Sequence, residues 1–418
     1  MGKASRCLTY LLLLVPPLVV SLYLLASFPP PLGPLPVPSY PGLESLPPDS
    51  RARQIYSEDW VEGGEGAYVD LPMGRTRYWL VGPENGRKIV LIHGLSVPSL
   101  IWQPLIPPLI ASGHRVLLYD LYGRGYSAAP VGAAYDSQLY VTQLALLLQH
   151  LGWERTRLAG VSMGGGIAAA FVAAFPKLVE REVVLVASAG LLEASDLPRT
   201  AKVMSSPLVQ TLTSNPLIYA YLRHLASRPE SPSSPSSPSN GIDTPLRDLV
   251  RLQSAHLPGF NRAVSSSLRA GPVMGMRWAF ESPEWEGRRV LVVHGTADHT
   301  VPSSHAARIG ALIEGAGRRN ASSSGVDSSA NEEVRVLPPS FLPPFLPFSK
   351  FTIKNAVQQA QQRPFQAPKS KTKTKPKPNL TTSNDRVRVT LVADAGHALT
   401  WTHAREVGEG VCGFLAGR

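Results

Sequence analysis

The feature that most narrows the folds open to this chain is a set of six short, unbroken apolar runs. They are Arg87–His93, Arg115–Asp120, Thr156–Val161, Val183–Val186, Val290–His294 and Val387–Val392. Runs of this length without polar alternation suit strands buried on both faces, which are parallel strands. Between them lie the helical stretches Gln138–Leu151, Met163–Phe175 and Ser303–Glu314, and a strand–turn–strand pattern from about Val69 precedes the series. Alternating strands and helices imply right-handed crossovers in one sheet. The predicted class is therefore α/β, with a mostly parallel central sheet flanked by helices.

Two stretches interrupt the alternation. Residues 191–287 read as mostly helical, with a Ser/Pro run at 227–240 that suits a disordered loop. Residues 315–385 read as a low-complexity basic insert holding a Pro-aromatic run, Leu337–Phe348, and the lysines of Lys369–Lys377. The core then comprises 68–190, 288–314 and 386–418. Composition supports a folded chain, since 44% of the 418 residues are hydrophobic and 17% charged. Two cysteines exclude a disulfide scaffold and a Cys-rich zinc site. The net charge of +11 does not argue for nucleic acid as a partner. From Glu314 to Asn384 there are 11 Lys+Arg against 4 Asp+Glu, so most of the excess sits in one insert.

Leu8–Phe28 holds no charged residue, the length and character of a membrane-spanning helix, kinked at Pro16–Pro17. Lys3 and Arg6 on its N-terminal side place that end in the cytosol. The expectation is a single-pass anchor (residues 1–28), a Pro-rich linker (29–67), and a folded domain on the luminal or extracytoplasmic side. A cleaved signal peptide is the rival, with only a weak Leu25-Ala26-Ser27 to serve as its cleavage site.

Gly160-Val161-Ser162-Met163-Gly164 carries the chemistry. It follows an apolar run and opens an Ala/Gly-rich helix, the setting in which a serine is held exposed on a tight turn. A hydroxyl needs a base and an orienting acid to act as nucleophile. Downstream stand Asp298, in His294–Pro302, and His397, in Asp394–Leu399, each after a predicted strand. Upstream, His93-Gly94-Leu95 ends an earlier strand, and the N–H groups of Leu95 and Met163 can pair as an oxyanion hole.

With H-G-x-x-x-S-x-x-x-W at His93–Trp102, Tyr119–Ser127 (YDLYGRGYS), G-x-S-x-G, H-G-x-x-D-x-x-V-P at His294–Pro302 and the closing Gly396-His397, the chain resembles the α/β-hydrolase fold family, in its small lipase and esterase branch. The N-terminal segment and Ala189-Gly190-Leu191 give a looser likeness to membrane-anchored monoacylglycerol lipases. The resemblance implies Ser162 as nucleophile, His397 as general base and acid, and Asp298 as orienting acid, with His93, Gly94, Gly160 and Gly164 as supporting motif residues and residues 191–287 as a helical cap over the pocket. It implies no cofactor or metal, and a small-molecule ester or lipid as substrate. Asp394, three residues from His397, is a rival acid, and Asp120 is expected to shape a turn. His294, His299, His305 and His403 read as ordinary polar histidines, without metal-ligand spacing. One departure is the separation of Asp298 from His397, wide enough to hold the insert as a surface loop. Serine-based C–C bond hydrolysis, amide hydrolysis and a non-catalytic membrane scaffold remain open at this point.

Overall fold

A computed structural model describes residues 13–23, 37–196, 244–323, 380–383 and 386–417. Among these residues nine strands form the main sheet: β1 (Glu65–Leu71), β2 (Gly74–Val81), β3 (Arg87–Ile92), β4 (His114–Tyr119), β5 (Thr156–Val161), β6 (Val179–Val186), β7 (Arg289–Gly295), β8 (Leu380–Ser383) and β9 (Val387–Val392). Their order is β8-β9-β7-β6-β5-β3-β4-β2-β1. The six strands from β9 to β4 are parallel, while β1, β2 and β8 pair antiparallel at the two edges.

The apolar runs are continuous because both faces of the parallel strands are covered. Val90, Ile92, Leu117, Leu158, Val183, Leu185 and Val292 belong to one core. Their neighbours Ile89, Leu91, Val116, Ala159, Val184, Val186 and Val293 belong to the other. Each fully buried Val, Leu or Ile contributes about 1.5–3 kcal/mol relative to exposure. Helices α1 (Ser137–His150), α2 (Met163–Ala174) and α5 (Ser304–Ser323) pack on the first face. Helix Ile106–Ala111 and α6 (Ala404–Leu415) pack on the second. Asp136 starts α1 by accepting the Leu139 N–H at 2.9 Å. Two further helices, α3 (Thr244–His256) and α4 (Phe260–Ala270), lie in the region predicted as a cap.

Two sequence expectations change. The Pro-rich linker does not run to residue 67 as a spacer. Ser39–Tyr40 pairs with Ala129–Pro130, and Leu43, Ala52, Tyr56 and Val61 are buried in the second core. Proline-rich composition hid a segment whose few apolar side chains find distant partners. The insert is shorter than 315–385, because α5 continues to Ser323 and Leu380–Ser383 returns as a strand on β9. The run at 227–240 and most of the insert lie outside the described residues. No helix among the described residues is long and apolar enough to cross a membrane. Of the predicted span 8–28, residues 13–23 are described and helical, with exposed side chains.

Candidate active site

Every parallel strand presents its carboxyl end to one edge of the sheet, where an open α/β sheet leaves a crevice. Ser162 follows β5, the middle strand of the nine. Asp298 and His397 lie beyond the ends of β7 and β9, and His93-Gly94 beyond β3. The three side chains, 235 and 99 residues apart in the chain, meet. His397 Nε2 lies 2.9 Å from Ser162 Oγ, and His397 Nδ1 lies 2.8 Å from Asp298 Oδ2. An ionised carboxylate only accepts, so Nδ1 carries the proton and Nε2 is free to accept the serine proton.

The turn that presents Ser162 is strained. Its backbone sits at φ 56°, ψ −121°, a region that costs a non-glycine residue about 1–3 kcal/mol. The flanking glycines are steric requirements. A Cβ on Gly160 would lie 2.2 Å from the Gly164 oxygen, and one on Gly164 would lie 2.2 Å from the Ile92 oxygen. The strain is held in place by the Ser162 N–H donating to Val186 O at 2.9 Å and the Ala189 N–H donating to Ser162 O at 3.0 Å.

Asp298 is fixed on both oxygens. Oδ1 accepts the N–H groups of Thr300 (2.8 Å) and Val301 (2.9 Å). Oδ2 accepts from His397 and from His294 Nε2, 3.2 Å away. Burial opposes ionisation of this carboxyl, but the hydrogen bonds from His294 and His397, the His397 charge and the Val301 amide outweigh it and hold the group well below the usual carboxylate range. His294, which the sequence left as an ordinary histidine, is fully buried and also reaches Val301 O at 3.0 Å. Its place four residues before Asp298 was visible, but only the tight turn after β7 brings the pair together. The rival Asp394 is exposed and accounts for no contact to His397.

His93 is a structural histidine. Its Nε2 accepts the Leu121 N–H at 2.9 Å and its Nδ1 donates to Gly94 O at 2.9 Å. Burial, with the nearby Arg124 charge, pushes its pKa down to about 3. Asp120 is fully buried and accepts from Ser99 N, Tyr126 N and Tyr56 Oη at 2.9–3.1 Å. Burial raises it to about 6, with those bonds opposing. Its partners shape the turn over 119–127 and include no member of the Ser162–His397–Asp298 set. His299 lines the crevice, His305 is buried, and His403 meets Thr402. Among the described residues no three His, Cys, Asp or Glu side chains are grouped to hold a metal ion.

Met163 opens α2, so its N–H has no intrahelical partner. Leu95 and Ser162 share a cavity of about 290 Å³ with Val97, Leu192, Leu246 and Val273. Its lining is largely aliphatic, and no Arg or Lys is among the described lining residues.

Residues 88–323 match the family model of the alpha/beta hydrolase fold. The chain belongs to that family. It is 29% identical over 239 residues to a 2-hydroxy-6-oxo-2,4-heptadienoate hydrolase of Pseudomonas putida, covering 55% of this chain and 78% of the relative. Among solved structures, a bacterial membrane phospholipase A aligns over 99% of this chain and 98% of its own, at 19% identity and a TM-score of 0.55. A carboxylesterase of Bacillus subtilis aligns over 88% of this chain and 96% of its own, at 16% identity and a TM-score of 0.52. Relatives of the family thus include esterases and C–C bond hydrolases, and the structural likenesses speak for the fold.

Proposed function

We propose that this α/β hydrolase cleaves carboxylic esters of a lipid or other apolar acyl group through a covalent acyl-enzyme. The observation that carries the reading is the Ser162 Oγ to His397 Nε2 contact of 2.9 Å between two residues that line a largely aliphatic cavity. In this reading Ser162 attacks the ester carbonyl and His397 takes its proton. The N–H groups of Leu95 and Met163 stabilise the oxyanion. His397 then protonates the leaving alcohol, and water, deprotonated by the same histidine, releases the acid. Asp298 stays ionised and holds the imidazole in the required tautomer.

C–C bond hydrolysis is the second reading, favoured by the sequence relative named above. Its substrate, a dienoate, carries a carboxylate. A buried carboxylate needs a cationic or hydrogen-bonding partner; the described lining offers no Arg or Lys, and beside Ser162 and His397 only Ser96, His299 and Thr300 bring polar side chains to it. That supports a neutral apolar ester. A fluorophosphonate probe should label wild type and not Ser162→Ala, and p-nitrophenyl esters of graded chain length should be hydrolysed. Absence of labelling in folded protein would favour a non-catalytic scaffold, and turnover of dienoates without esters would favour the second reading.

We also propose that residues 8–28 anchor the chain, with the hydrolase domain on the luminal or extracytoplasmic side. The support is their uncharged length and the Lys3 and Arg6 before them. Protease added to sealed microsomes should spare the domain, and digestion of the domain there would reverse the orientation.

A further inference from the structure

Arg124 is a fully buried cation with no carboxylate at ion-pair distance among the described residues. Leaving a charge inside a protein without a counter-ion is costly unless every donor is satisfied. Here all five N–H groups have acceptors. Nε donates to Leu95 O at 2.9 Å. One terminal nitrogen donates to Tyr122 O at 2.9 Å and to the Tyr140 hydroxyl. The other donates to Ser267 Oγ at 3.0 Å and Ala263 O at 3.4 Å. Tyr140 and Ser267 close the ring at 2.8 Å.

These acceptors belong to three separate parts of the molecule. Leu95 lies on the loop after β3, Tyr140 on α1, and Ala263 and Ser267 on α4. A second buried side chain, Gln253 of α3, runs alongside. It accepts the Gly125 N–H at 2.8 Å and donates to Ser96 O at 3.4 Å. The helices that carry these tethers also line the cavity, through Leu246 and Leu268.

We infer that Arg124 is a positioning residue for the oxyanion hole: by holding the Leu95 carbonyl it ties the loop that carries the Leu95 N–H to α1 and α4. The inference rests on the reading of Leu95 as an oxyanion donor. Its planar fork satisfies acceptors in three directions at once, which a lysine ammonium on a flexible stem does not. A misplaced donor lowers the rate while leaving ground-state binding of a small substrate nearly unchanged. The charge is felt locally, since it contributes to keeping His93 neutral.

The test compares wild type, Arg124→Lys and the double variant Tyr140→Phe/Ser267→Ala, which keeps the charge but loosens the tether. The full chain is assayed with p-nitrophenyl butyrate, with a fluorophosphonate probe, and by inhibition with an alkyl trifluoromethyl ketone, whose hemiketal oxygen occupies the oxyanion hole. Arg124→Lys should lose roughly 10- to 100-fold in kcat with KM within about twofold. The ketone inhibition constant should rise in proportion to the loss in kcat/KM. The double variant should lose about tenfold in kcat. Should Arg124→Lys fail to fold, the double variant decides. Wild-type kcat and ketone affinity in the folded variants, with only a lower melting temperature, would reduce Arg124 to a structural residue and overturn the inference. A wild-type protein that neither labels nor turns over ester would overturn the hydrolase reading and this inference with it.

Discussion

Replacing Asp298 by asparagine removes one oxygen and adds two donors in a site where all positions are committed. Oδ1 now takes two backbone N–H groups, at 2.8 and 2.9 Å, and Oδ2 takes two histidine N–H groups, at 2.8 and 3.2 Å. An amide can serve only one pair. Turning its NH2 toward Thr300 and Val301 leaves two buried backbone donors unpaired, at about 1–3 kcal/mol each. The amide therefore keeps its oxygen there and points NH2 at His397 Nδ1. Facing a donor, His397 must move its proton to Nε2, and Nε2–H opposite Ser162 Oγ no longer accepts. Substituting the triad acid in this way costs about 10⁴ in kcat, or about 5 kcal/mol of activation free energy. We expect that loss for Asp298→Asn in p-nitrophenyl ester hydrolysis, KM little changed, and a matching slowing of fluorophosphonate labelling. Asp394→Asn should stay within about twofold of wild type, because its carboxylate is exposed and His397 Nδ1 is already paired. Retention of more than a tenth of wild-type kcat in Asp298→Asn, or a worse result for Asp394→Asn, would refute the tautomer argument.

Gly164→Ala should destabilise by about 3 kcal/mol or more in urea unfolding, since its new methyl meets the Ile92 and His93 carbonyls at 2.2 and 2.6 Å. Gly413→Ala on α6 has open space and should stabilise by about 0.4–1 kcal/mol; equal effects would discredit the steric reasoning. His93 has a folded pKa of about 3 against 6.5 unfolded, so its stability contribution is lost as the pH falls below about 6.5, reaching about 2 kcal/mol by pH 5. Asp120, raised to about 6 from 3.8, acts in the opposite sense and returns about 1 kcal/mol over the same range. The stability gap between wild type and His93→Asn should therefore narrow by about 2 kcal/mol from pH 8 to pH 5, and a constant gap would contradict it. Excising residues 324–379 and joining Ser323 to Leu380 with a Gly/Ser linker should preserve probe labelling, whereas a silent, insoluble product would assign the insert to the domain.

The sheet was legible because burial on both faces writes itself into sequence as unbroken runs such as Val90-Leu91-Ile92 and Val183–Val186. The grouping of Ser162, Asp298 and His397 was legible because each follows such a run with a glycine one to three residues before it. What stayed hidden depends on distant contacts. Leu43 and Tyr56 sit among prolines and polar residues, and nothing local announces that they pack under β2. Arg124 sits between two glycines, where a charged residue ordinarily reads as solvated. Its burial is decided by a carbonyl 29 residues earlier and a hydroxyl 143 residues later. His294 looked like a strand terminus, and its contact to Asp298 needs the turn geometry.

The short strand β8 has a consequence for solubility. It covers β9, the strand that leads to His397 and would otherwise end the sheet. Bare, Val387–Val392 would offer a row of open amides and carbonyls on a β-branched segment, a template for pairing with another molecule and for fibril growth. An excision that spares Leu380–Ser383 keeps that edge shielded. One that extends through them leaves Ser162, His397 and Asp298 untouched and should yield a protein that self-associates, detectable by light scattering in the presence of full probe labelling.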